Sequence, residues 1–596
     1  MIKLLKYLDK AAWLMIVFIV GLVILQVYSD LELPGRLTNI ITYASTSNAL
    51  EVQGILTPEM KQEFTDRIIN NALQMLGFAV LSMTASIIVG FLAARVAASY
   101  SYSLRKAIYR HIQDFSMIEI DRFSTASLIT RTTNDITQIQ MVVVMVLRMA
   151  ISAPATAIMG ILKASKIQGS SQLSLIVVFA VVALVVLVTT IFLLVMPKFK
   201  SIQGFTDKLN LVTRENLTGI RVVRAYGAME YQEEKFDNVN RPLTKTNVFV
   251  NRMMNLMTPG MNIIMHGTSL SILWVGAYWV NENPLNLGNV FGFQQITMFI
   301  VMAFMQLIMI FIMVPRGLVS ARRVNEVLQV QPSIWNAQVT KLPEESVRGE
   351  IEYQNVGFAY EHSDEKVLED ISFKATKGQT VAVIGSTGSG KTTLAHLLLR
   401  FFDVSDGRIL LDGVDIKDYD LTVLRGKIGL IAQKSLLFKG TIRSNLSFGK
   451  EDATDEEMIE ALKMAQAYDF VMKDPKGLDA PVSQGGNNFS GGQKQRLSIA
   501  RALIKKPEIL VFDDSFSALD FKTDKMLREG LQTLDYQPTK LIVAQRIGTI
   551  MDADLIVVLE KGRIAGLGTH EELLRSCAVY QEIAYSQFSK EELENA

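Results

Sequence analysis

The sequence predicts a multi-domain membrane protein: an all-α half with six membrane-crossing helices, followed by an α/β half. Three observations carry this. Hydrophobic residues make up 49% of the 596-residue chain and charged residues only 20%, with a mean hydropathy of +0.25, whereas a soluble domain is about 25% charged. Long uncharged runs stop at Pro315. Beyond Arg323, alternating apolar strands, glycine turns and helical patterns begin near Gly349 and continue to about Tyr585. The 60 Lys+Arg against 59 Asp+Glu argue against nucleic acid as a partner. A single cysteine, Cys577, excludes a disulfide framework or a multi-thiolate zinc site.

The six spans are expected at about 11–29, 68–98, 136–162, 167–197, 253–281 and 285–315, most of them longer than the roughly 20 apolar residues that cross a bilayer. The third is short as an uncharged run, but it continues a helical pattern from Ile136 broken only by Arg148. The first run follows Lys3, Lys6 and Lys10, as a secretory signal would. Its 19 uncharged residues and the lack of a small-residue cleavage site at Gln26–Asp30 favour a retained span. A short amphipathic segment carrying Ile2, Leu4, Leu5 and Leu8 precedes it at the interface. The connections Arg95–Asp135 and Lys198–Arg252 hold six and ten Lys/Arg, while the intervening connections hold three, two and none. The positive-inside rule then places both termini and both long basic loops in the cytoplasm of a multi-pass cell (inner) membrane protein.

The last span carries a polar stripe. Met298, Met302, Met305, Met309 and Met313 share one helical face, and Gln295 and Gln306 fall on it. Packing or lipid contact suits the methionines alone. Glutamine facing hydrocarbon is costly, so the shared face favours a protein-lined substrate cavity. Asn262 and His266, one turn apart on the fifth span, are candidates of the same kind, and a satisfied packing role serves His266 equally well.

In the α/β half, Gly385-Ser386-Thr387-Gly388-Ser389-Gly390-Lys391-Thr392 follows the strand-like Thr380–Ile384 and opens a helical stretch from Thr393 to Phe402. This is the context of a P-loop: backbone N–H groups cradle phosphates, Lys391 reaches the β/γ oxygens and Thr392 ligates Mg²⁺. Ile509–Phe512 ends in Asp513, the second magnesium anchor. Ser490-Gly491-Gly492-Gln493 opens another helical run, a second anion-binding helix start. One of the two devices then serves a nucleotide held by a different subunit.

With these motifs the chain resembles the ATP-binding cassette (ABC) exporter family over nearly its whole length, as a half-transporter. The resemblance implies a membrane domain at 1–325, a linker at 326–348, a nucleotide-binding domain at 349–585 and a tail at 586–596. It makes Ser490–Gln493 the signature motif, with Phe489 where leucine is commoner. Gln433 matches the Q-loop glutamine that contacts Mg²⁺, Tyr360 the aromatic that stacks on adenine, and Ser517–Asp520 the D-loop. Asp121–Asp135 and Glu215–Tyr226 resemble coupling-loop regions.

Two positions depart from the pattern. Asp514 stands where the family has a glutamate that positions the attacking water, and Gln545 where it has the switch histidine. Aspartate is one methylene shorter, and a misplacement of 1 Å can cost about 10²-fold. Glutamine cannot become cationic. This resembles the degenerate-site subunit of heterodimeric bacterial multidrug exporters. It implies ATP and Mg²⁺ as cofactors, hydrophobic small-molecule substrates, and a second half-transporter with an intact glutamate and histidine. Alternatives are a lipid or peptide exporter of the same family, or a regulatory ATP-binding membrane subunit without transport.

Overall fold

A computed structural model describes residues 2–167, 170–282, 286–336, 348–361, 363 and 365–588. The chain divides into two units, Met1–Gln113 with Ala126–Val330, and Asp114–Thr125 with Gln331–Ala596.

The first half of the chain is helical: α1 (Lys10–Val52), α2 (Pro58–Gln113), α3 (Met117–Phe123), α4 (Thr125–Thr132), α5 (Asn134–Ala164), α6 (Ser170–Thr218), α7 (Ile220–Ala225), α8 (Met229–Glu282) and α9 (Leu287–Gln329). A 3-10 turn at Ile2–Tyr7 precedes α1. Six helices among the described residues are long and apolar enough to cross a membrane.

These helices outrun the uncharged runs. α1 begins at Lys10 but continues to Val52 through Asp30, Glu32 and Arg36, and through Pro34 and Gly35 as well, because charge alone does not end a helix and packing on neighbouring helices overrides a local breaker. The fourth span starts at Ser170 rather than 167 and runs to Thr218. α9 continues to Gln329, so the linker expected from 326 starts later. Residues 337–347 of that linker and 589–596 of the expected tail lie outside the described residues, as does residue 285 at the start of the sixth span.

Within the first unit α1 packs on α2, α5 and α9, and α6 pairs with α8. Val23, Val27, Leu31, Val96 and Leu147 are buried in one core. α9 approaches α1 closely because Gly288 and Gly292 face Thr38, where a Cβ would collide. Hydroxyls in the apolar helices are satisfied locally: Ser29, Thr38 and Thr297 each donate to the carbonyl four residues back. Glu32 pairs with Lys163 at 2.8 Å. Buried Asp135 accepts from Ser320 at 3.0 Å and faces Arg323 at 3.3 Å, which pins the start of α5 to the end of α9.

Among the described residues the second unit holds twelve strands, β1 (Ile351–Phe358), β2 (Leu368–Ala375), β3 (Thr380–Gly385), β4 (Asp406–Leu411), β5 (Val414–Asp415), β6 (Ile428–Ile431), β7 (Gly440–Thr441), β8 (Pro481–Val482), β9 (Ile509–Asp513), β10 (Thr539–Val543), β11 (Leu555–Glu560) and β12 (Arg563–Gly568). They form sheets in the orders β2-β1-β4-β5, β12-β11-β3-β10-β9-β6 and β7-β8. The pairs β11-β3, β3-β10, β10-β9 and β9-β6 are parallel. Their alternation fills two cores. Val381, Val383, Val511 and Leu541 point to one, and Ala382, Ile384, Phe512 and Ile542 to the other. Strands buried on both faces read as continuous apolar runs, which is why they stood out in the sequence.

Helices of this unit include α10 (Lys391–Leu398), α11 (Leu421–Lys427), α12 (Ile442–Leu446), α13 (Asp455–Met464), α14 (Tyr468–Met472), α15 (Gly491–Leu503), α16 (Phe521–Gln532), α17 (His570–Ser576) and α18 (Ala578–Tyr585). The expected helix from Thr393 to Phe402 is shorter and earlier, since α10 starts at Lys391 and closes at Leu398. α3 also belongs to this unit. Ser116 and Glu119 form a capping box, and the Glu119 carboxylate accepts from the Ser333 N–H at 3.0 Å. Ile118 packs against the core of Val381 and Leu397. Burial opposes ionisation of Glu119, but the bonds from Ser116 and Ser333 win and hold its carboxyl below the usual range. The segment Asp121–Asp135 is therefore split, with residues up to Thr125 in the second unit.

Candidate functional site

The carboxyl ends of four parallel strands build the site, the usual crevice of an open α/β sheet. β3 leads into Gly385–Gly390, β9 ends at Asp513 and Asp514, β10 leads to Gln545, and β6 to Gln433. Because β9 lies between β10 and β6, Asp514 sits between Gln545 and Gln433.

The loop after β3 has Gly388 and Gly390 at φ +84° and +96°, a region that only glycine enters freely. A Cβ at Gly390 would meet Leu368 at 2.6 Å. Lys391 is buried at the start of α10, and its Nζ donates to Gly385 O (2.9 Å) and Ser386 O (2.7 Å), with Ser389 Oγ at 3.4 Å. Burial lowers its ammonium pKa, while Asp514 and Asp513 oppose that shift. Thr392 Oγ1 donates to Asp513 Oδ1 at 2.8 Å. Two oxygen ligands are thus adjacent at the mouth of an amide-lined loop, which fits a magnesium nucleotide. Burial raises the Asp513 carboxyl above its ordinary pKa, with the Thr392 bond pulling the other way.

Asp514 is held at φ +48°, and its N–H donates to Val543 O at 2.9 Å. One oxygen of its carboxylate, Oδ2, accepts from Gln433 Nε2 at 3.0 Å and from Gln545 Nε2 at 2.9 Å. The two amides clasp the acid from both sides. Tyr360 is partly exposed, its hydroxyl 2.9 Å from Thr393 Oγ1 and its ring edge-on to Phe358 and Phe402.

Ser490 to Gln493 open α15. Ser490 caps α15, accepting from the Gln493 N–H at 3.3 Å, while Gln493 Oε1 accepts from the Ser490 N–H at 2.9 Å. Phe489 packs partly buried against the core, edge-on to Phe470. No hydrogen bond among the described residues joins Ser490–Gln493 to Gly385–Thr393. Asp520 caps α16 by accepting from the Thr523 N–H at 3.0 Å.

On α9, Gln295, Met302 and Gln306 are exposed and Met298 and Met305 half-buried, while Asn262 and His266 are exposed on α8. No hydrogen bond among the described residues ties Asn262 or His266 to that α9 face. Sequence reading missed Gln294, which donates to Ser269 at 2.6 Å and links α9 to α8. It also missed His396, whose Nε2 stands 3.9 Å from Asp513 Oδ2. Its position four residues after Thr392, one helical turn along, was the available signal. Burial lowers the pKa of His396, with Asp513 opposing.

An apolar six-helix domain joined to a P-loop ATPase domain defines a membrane transport ATPase. The ABC transporter transmembrane region family matches residues 13–304, and the ABC transporter family matches residues 368–517. An uncharacterized ABC transporter ATP-binding protein of Mycobacterium bovis is 38% identical over 526 residues, 88% of this chain and 90% of that protein. The ATP-dependent lipid A-core flippase of Syntrophus aciditrophicus is 31% identical over 522 residues, 85% of this chain and 83% of that protein. A solved bacterial Atm1-family ABC exporter with ATP bound shares the fold, with a TM-score of 0.77 at 24% identity, covering 96% of this chain and 98% of that one. The chain belongs to the ABC transporter family, as an exporter half-transporter with the membrane region fused to its ATPase domain.

Proposed function

We propose that this chain is one subunit of a heterodimeric, ATP-driven exporter of hydrophobic compounds, in the manner of multidrug efflux. Its own nucleotide site binds ATP but hydrolyses it poorly. The clasp of Asp514 by Gln433 and Gln545 carries this reading. A carboxylate oxygen that accepts from two neutral amides is a poor base for water, and neither amide can supply the charge of a histidine. Thr392 and Asp513 would hold Mg²⁺ with Gln433, while Lys391 and the Gly385–Gly390 amides would hold phosphates and Tyr360 the adenine. Bound Mg²⁺ supplies charge neutralisation of the β/γ oxygens. Ser490 to Gln493 would complete the competent site of a partner half-transporter that keeps the glutamate and histidine.

Both termini face the cytoplasm in this reading, and the cell membrane is the inner one. The exposed Gln295–Met302–Gln306 face of α9 would line the substrate path. Lipid export is the second reading, supported by the similarity to a protein named as a lipid A-core flippase.

Expressed and purified alone, the chain should bind ATP with little turnover. Robust ATPase from the isolated chain would overturn the heterodimer. Met302→Trp or Met305→Trp should change which compounds stimulate the ATPase of the pair more than it changes basal activity. Cysteine labelling only by lipid-phase probes at those positions would remove them from the path.

A further inference from the structure

On the other side of α9 lies a pocket with no part in the reading above. Phe293, Ile300 and Phe304 form its floor, while Val177 and Val181 of α6 and Ala164 of α5 form its walls. Residues 293, 300 and 304 repeat the spacing of 295, 302 and 306 two residues earlier, about 200° around the helix. The pocket therefore backs the Gln–Met face and does not share it.

The cavity measures about 230 Å³. Drug-sized ligands occupy pockets of roughly 300–1,000 Å³, while an apolar cavity of about 150 Å³ stays dry and admits a benzene. The volume suits a slim alkyl chain. The rim is apolar too: Ile161, Val178 and Val182 are exposed at the opening. All belong to helices long and apolar enough to cross the membrane, so a bilayer alkyl chain is an apolar ligand within reach of the opening.

Polar chemistry stands at one end. Ser165 and Ser174 border the pocket, and the Ser165 hydroxyl donates to Leu162 O at 3.0 Å. Lys166 follows in the turn that closes α5, exposed and without an ion pair among the described residues, whereas Lys163 is held by Glu32. An apolar slot one residue away from an ammonium that is unpaired among the described residues is complementary to one amphiphile, an alkyl chain with an anionic head.

We propose that this pocket is a lipid site, taking one acyl chain of an anionic phospholipid whose phosphate meets Lys166. The site does not depend on the heterodimeric reading, because every residue named belongs to this chain's membrane unit. Its occupant packs against the rear of α9.

The test uses the full chain in nanodiscs of phosphatidylcholine containing phosphatidylglycerol with a diazirine in one acyl chain. After photolysis, adducts should concentrate on the peptides bearing Val177–Val182 and Phe293–Phe304, and unlabelled phosphatidylglycerol should compete them away. Peptides around the exposed Trp274 and Tyr278 of α8 report bulk lipid contact. Lys166→Gln, a surface change that leaves the helices intact, should lower the pocket adducts about fivefold, the effect of one lysine on an anionic headgroup, and leave the α8 adducts unchanged. Val181→Trp should fill the pocket and remove its adducts. Labelling no stronger at the pocket than on α8 would overturn the site. So would labelling indifferent to Lys166→Gln, or a diazirine phosphatidylcholine that labels the pocket equally well. The readout is labelling and not turnover, so it stands apart from any result on ATPase pairing.

Discussion

Removing the catalytic glutamate of the proposed partner subunit should nearly abolish ATP turnover by the pair, whereas Asp514→Asn in this chain should leave most of it. A positioned general base contributes about 10²–10⁴-fold, so steady-state ATPase should fall at least about 100-fold when the one complete site loses its glutamate. Asp514 gives no such contribution while its Oδ2 is engaged by Gln433 and Gln545. Ser490→Ala should also harm the pair, about tenfold, because it removes a hydroxyl that would meet the partner's nucleotide and caps α15 in this chain. Lys391→Ala should act less directly, by weakening ATP retention in the silent site. The ordering is the test. If Asp514→Asn hurt ATPase as badly as loss of the partner's glutamate, the asymmetric reading would be wrong.

Much of this site was legible because its chemistry is local in sequence. Gly388 and Gly390 mark the backbone positions with positive φ, and Lys391 and Thr392 follow at once. Strands β3 and β9 were visible as apolar runs because both of their faces are covered. The clasp on Asp514 was not legible. It depends on β9 lying between β10 and β6, an order that brings residues 433, 514 and 545 together across long intervening segments. Sequence showed two substitutions, and the sheet shows that they share one hydrogen-bonding centre. Helix ends failed for a different reason. Charged residues such as Asp30, Glu32 and Arg36 end an apolar run without ending a helix, and α1 passes through all three. The lipid pocket was beyond reach as well, since Ala164, Val177 and Phe293 look like ordinary apolar spans until three helices are packed.

Repairing the silent site should need two substitutions at once. Asp514→Glu extends the carboxylate by one methylene and restores a reach whose loss can cost about 10²-fold. Yet Gln433 and Gln545 remain as amide donors beside it, and Gln545 still cannot carry charge. The longer side chain must also sit at φ +48°, where aspartate is better tolerated. The single change should therefore raise turnover little. Asp514→Glu with Gln545→His supplies an acid of the right length and a switch that can become cationic against phosphate. The clearest background is the pair whose partner has lost its own glutamate, since basal ATPase there is close to zero and any recovery belongs to this chain's site. In that background the double variant should recover turnover well above either single variant, up to the roughly 10²-fold that placement of the base is worth, provided the partner's signature motif can close on the nucleotide. ATP binding, measured separately, should be unchanged, because Lys391, Thr392 and Asp513 are untouched. Full recovery from Asp514→Glu alone would show that Gln545 does the work of a histidine, and the site would then be limited by one methylene.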